Sequence, residues 1–218
     1  LYFGIARCNV AIREITNLED PLYPKEERIA EMRFLRAHFH FDLKRNFNQI
    51  VYLEETTDPI AETNTRFSNE ELWDLIQADM QFAFENLPTE QSEVGRVNKY
   101  NAAAYLAKIA IEREQWATAI GHCNFVMSGP YELLADFQQL AELDFENSAE
   151  AVFAIQYSTA NIFLNHNWGD LLNITSGPGI NGGAYANGDD FYLGSQNLVN
   201  AFKVDNDGFP LFTSFNSG

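Results

Sequence analysis

The segment Glu31-Met-Arg-Phe-Leu-Arg-Ala-His-Phe-His-Phe-Asp-Leu-Lys-Arg-Asn-Phe47 places apolar residues on two opposite sides of one helix. At about 100° per residue, Met32, Leu35, Phe39 and Leu43 fall on one side, and Phe34, Ala37 and Phe41 on the other. A surface helix needs only one apolar stripe, so a helix with two must be sandwiched between neighbours. The strips between those faces carry Arg33, Arg36, His40 and Lys44 on one flank and Glu31, Asp42 and Arg45 on the other. Those groups must reach water or find partners. A helix from about Glu26 to Phe47 is about 30 Å long, which suits the stacked hairpins of a helical solenoid.

The flanking segments supply the neighbours. Ile5, Cys8, Val10, Ile12 and Ile15 make a short helical pattern before Asp20-Pro21 and Tyr23-Pro24 break it. Beyond Phe47 the chain turns irregular, with Gln49 to Glu54 extended and a turn at Thr56-Thr-Asp-Pro59. Ser68-Asn-Glu-Glu71 is a capping box that opens a helix with the stripe Leu72, Ile76, Met80, Ala83 and Leu87, stopped by Pro88. Asn98 can cap a helix to about Glu114, and a second runs from Gln115 or Trp116 to Ser128, before Gly129-Pro130. Ala102, Ala103, Ala104, Ala107 and Ala110 let another helix approach the first arm closely. Ala107, Ala110, Ala119 and Val126 lie near tetratricopeptide spacing. The helices around Ala37 and Ala78 suggest an earlier, looser repeat.

Past Tyr131 the character changes. Phe137 to Leu143 reads as a short helix, and Ala151 to Tyr157 has the aromatic and β-branched content of a strand. Ser158 to Gly194 is a long polar, Gly-rich, aromatic loop, and Ser195 to Phe202 reads as a short helix. The expected fold is therefore all-α: a tetratricopeptide-like helical core over residues 1–130, then an irregular, loop-rich region with minor β over 131–218.

Composition excludes some functions. An apolar fraction of 46%, with 18 Phe, 9 Tyr and 3 Trp, can fill a core. A net charge of −17 argues against nucleic acid, because nothing here could displace counterions from a phosphate backbone. Cys8 and Cys123 sit among apolar neighbours on expected helices and read as buried thiols rather than a bridge. The chain starts at Leu1 without Met and reads as a piece of a larger protein.

In this order, the pieces resemble the SusD/RagB family of surface glycan-binding lipoproteins. The matching residues are Glu31-x-Arg-Phe-Leu-Arg-Ala37 with Phe41-Asp-Leu43, Glu71-Leu-Trp-Asp-Leu-Ile-Gln-Ala-Asp79, and Gly95-Arg96-x-x-Lys99 before the Ala-rich hairpin. Further on come Asn147-Ser148-x-Glu150-x-Val-Phe153 with Ile155-Gln-Tyr-Ser158, and Ser195-Gln-Asn-Leu-Val199 before Asp207-Gly208. The resemblance departs at Val97-Asn98, where a small residue and Thr are commoner, and at Ala151, where an aliphatic residue is. It implies an outer-membrane lipoprotein of Bacteroidota-type bacteria, held by an N-terminal lipid anchor that this chain does not contain. Its partner would be a SusC-like TonB-dependent transporter, to which it passes oligosaccharides without catalysis or cofactor. Some members take peptides instead.

The candidate ligand contacts are Trp168, Tyr185, Phe191 and Tyr192 of the long loop. A sugar presents an apolar C–H face to an aromatic plane, while its hydroxyls need amide and carboxylate partners. Asn167 and Asp170 supply those, with Asn165, His166, Asn181 and Asp189 near in sequence. His166 to Asp170 and Asn187 to Asp190 complete no metal-ligand spacing, so no metal is expected. The basic strip Arg33, Arg36, His40 and Lys44 is expected to pair with acidic neighbours such as the Glu70 to Asp79 helix, not with an anionic ligand. The 31 acidic residues guarantee some pair at glycosidase separation by chance, and no catalytic motif stands out. A peptide-binding member of the same family, an α-helical glycosidase and a plain tetratricopeptide scaffold remain the rival readings.

Overall fold

The structure is a computed structural model and describes residues 1–57, 66–141 and 143–156. Five helices follow one another: α1 (Tyr2–Asn17), α2 (Lys25–Phe47), α3 (Asn69–Asn86), α4 (Lys99–Glu112) and α5 (Trp116–Met127). Each packs on its neighbours in sequence, α1 on α2, α2 on α3, α3 on α4 and α4 on α5, as in a solenoid of hairpins. The described residues up to Ile155 belong to one compact unit.

The start signals act as their chemistry requires. The Ser68 hydroxyl accepts from Glu71 N–H, while the Glu71 carboxylate accepts from Ser68 N–H. Asn98 and Asn101 exchange the same pair of bonds at the head of α4. Two otherwise unpaired donors are thus satisfied at each helix start.

The long helix α2 is enclosed on both expected faces. Phe34, Ala37 and Phe41 are buried, and the rings of Phe34 and Phe41 meet Tyr105 of α4 edge-on, while Phe41 also meets Trp73 of α3. On the opposite face Leu43 is buried, Leu35 and Phe39 are half-buried, and Phe39 lies over Gly4 of α1. A Cβ at Gly4 would sit 2.5 Å from the Phe39 ring, so α1 can approach this closely only with glycine there. The stripe Leu72, Ile76, Met80, Ala83 and Leu87 is wholly inside, as are Ala102, Ala103, Ala107 and Ala110.

Two expectations are corrected. Residues 151–156 form no strand, and there is none among the described residues. A strand needs a partner edge, whereas here the Val152 carbonyl accepts from the Asn101 side chain of α4. Cys123 is exposed, because α5 buries only Ala119; Cys8 is buried as expected. The short helix expected at Phe137 to Leu143 is present as a 3₁₀ helix, Phe137–Ala141, followed by a second one, Leu143–Phe145. The helix expected over Ser195 to Phe202 lies outside the described residues.

Candidate functional site

The basic flank of α2 is consumed inside the scaffold. The Arg36 guanidinium, 2% exposed, grips Asp79 of α3 with two parallel bonds, Nε to Oδ2 at 2.6 Å and Nη2 to Oδ1 at 2.7 Å. Its Nη1 donates to Asn9 Oδ1 of α1 at 2.9 Å and to the Glu55 carboxylate on the connection after α2. One residue therefore ties four segments. Burial alone would lower the Arg36 pKa, but the bonds and charge of Asp79 outweigh it and hold the group above its ordinary value. Burial opposes ionisation of Glu55 as well, yet the bond from Arg36 keeps its carboxyl below the usual range.

His40 carries no charge. Burial, reinforced by the nearby Arg36 cation, pushes its pKa down to about 3. The ring stacks on Tyr52 at 4.2 Å and its Nε2 accepts from Leu53 N–H at 3.3 Å. Lys44 donates to Asn48 and Asn69 and lies over Trp73, and Arg33 lies over Phe82 at 4.3 Å from the ring centroid. Among the described residues Arg36, His40 and Lys44 are each held by polar partners, whereas Arg33 has its ring contact and a 3.9 Å approach to Asp79, and its buried Nε has no hydrogen-bond partner.

The other flank is equally occupied. Glu31 receives Arg28 at 2.6 Å and Arg96 at 2.7 Å, which pins the connection before α4 onto α2. Gly95 makes this possible by adopting φ 89°, a conformation L side chains rarely take.

Residues 147–153 are fastened to the same core. Phe153 packs edge-on against Phe34 at 5.3 Å and Tyr105 at 6.1 Å. Glu150 accepts from Leu134 N–H at 2.8 Å, and Ala149 accepts from Glu132 N–H at 3.1 Å. Asn147 turns the chain at φ 57°. Side chains thus hold the Phe153 ring, and backbone N–H groups hold the Glu150 carboxylate and the Ala149 carbonyl.

Residues 1–111 match a family described as starch-binding and associating with the outer membrane, the SusD-like proteins. The chain belongs to the SusD-like family. A SusD-like protein P2 of Formosa agariphila is 29% identical over 152 residues, covering 69% of this chain and 29% of the relative. The chain therefore spans less than a third of that curated relative. A SusD superfamily structure from Parabacteroides distasonis superposes with TM-score 0.76 at 23% identity, covering 93% of this chain and 45% of the other. Surface glycan-binding protein A from Bacteroides fluxus superposes with TM-score 0.63 at 25% identity, covering 72% and 35%.

In this SusD-like chain the motif residues are partners of one another. Glu31 of the first motif holds Arg96 of the third, and Arg36 of the first holds Asp79 of the second. Asn147, Glu150 and Phe153 of the fourth turn residues 147–153 and fasten them in place. The pairing of the basic strip with α3 matches expectation; the roles of Glu55 and Arg96 were not foreseen, because neither lies within helical spacing of its partner. Trp168, Tyr185, Phe191, Tyr192, Asn167 and Asp170 lie outside the described residues. Among the described residues no cluster of His, Cys, Asp and Glu could hold a metal, and no helix is long and apolar enough to cross a membrane. A shallow groove of about 470 Å³ between Leu18 and Glu26 is lined by Glu19, Asp20 and Glu26 and offers one ring, Tyr23. It lacks the several rings and amides that a sugar platform needs.

Proposed function

We propose that the protein captures oligosaccharides at the cell surface and hands them to a SusC-like TonB-dependent transporter in the outer membrane, to which an N-terminal lipid anchors it. Membership of a family described as starch-binding and associated with the outer membrane carries this reading. The similarity to a surface glycan-binding protein supports sugar as the ligand class. The composition of residues 158–194 fits: Trp168, Tyr185, Phe191 and Tyr192 offer planes for C–H faces, and Asn167 and Asp170 offer hydroxyl partners. A net charge of −17 favours neutral glycans over polyanions. Binding of this kind breaks no bond, and the reading assigns no catalytic residue.

The test is a binding panel of neutral polysaccharides, polyuronates and mixed oligopeptides, read by calorimetry, with reducing ends assayed in parallel. Binding to at least one neutral polysaccharide with no reducing ends released is the expected result. Binding to peptides alone, or release of reducing ends, would overturn it. Pull-down from outer membranes of the source bacterium should recover a TonB-dependent transporter, and its absence would remove the delivery role.

A further inference from the structure

We draw no further inference here: the strongest candidate, the exposed apolar stripe of Trp116, Ile120, Cys123 and Met127 along the outer face of α5, has nothing in the structure to show what covers it.

Discussion

Arg36 and Asp79 are 2% and 3% exposed, so their pairing is governed by desolvation. Taking both ions out of water costs nearly what their attraction returns, and the pair adds little to net stability. Breaking it is another matter, because without Asp79 the buried Arg36 keeps only the partly exposed Glu55 as a counter-charge. Asp79→Ala should therefore cost about 3–5 kcal/mol in urea unfolding. Replacing both partners, Arg36→Met with Asp79→Leu, should recover most of that loss. A single variant costing under about 1 kcal/mol would show that the pair is not buried in solution. His40 gives an acid-side prediction. Its folded pKa, about 3, lies below its ordinary 6.5, so between these values the unfolded chain binds the extra proton. Stability must fall as pH drops from about 6.5 towards 3. His38 and His122, also lowered by burial, add in the same direction. His40→Phe keeps the stack on Tyr52 and removes the titration. Between pH 6.5 and 5, above the carboxylates, it should flatten the pH slope of the unfolding free energy, measured by urea titration, by up to about 1.4 kcal/mol per pH unit. An unchanged slope would mean that His40 protonates in the fold.

The helices differ in what holds them. α2, α3 and α4 each bury at least six residues, whereas α5 buries only Ala119 and exposes Trp116, Ile120 and Met127. Local opening free energy follows buried apolar contact. In native-state hydrogen exchange, α5 amides should therefore exchange well before those of α3 and α4. Equal protection across these helices would contradict the packing described here. Element by element, sequence legibility tracked local chemistry. The starts at Ser68 and Asn98 were readable because a cap is written in adjacent residues. The strand expected at Ala151 to Tyr157, absent over residues 151–156, came from composition, since β-branched and aromatic side chains also suit a residue such as Phe153 wedged into helices. Cys123 was misplaced for a related reason. Apolar neighbours mark a helix face, but they do not say whether anything covers it.

Across the molecule, the segments that made the family legible are the ones whose polar groups are spent on each other. Glu31 and Arg96 stand far apart in sequence, as do Arg36 and Asp79, so their pairing needed the fold to be seen. The candidate site was legible only as composition, a stretch of sequence with rings and amides, because sugar recognition imposes no fixed spacing comparable to a metal or phosphate motif. These two facts make a contrast that solution binding can read. If the helical scaffold only supports the site, removing a scaffold cation leaves ligand affinity alone, and removing a loop ring does not. Arg33, half-buried over Phe82, is the scaffold residue to change, since its guanidinium lies 3.9 Å from Asp79 and makes no closer ion pair among the described residues. Arg33→Ala should leave affinity for the best glycan of the panel within about twofold. Trp168→Ala should weaken it by about tenfold or more, equivalent to about 1.4 kcal/mol, the loss expected for a central aromatic anchor. The urea midpoint of the Trp168 variant should stay at the wild-type value. The reverse pattern, affinity lost with Arg33 and kept without Trp168, would move the site from the loop to the basic flank of α2.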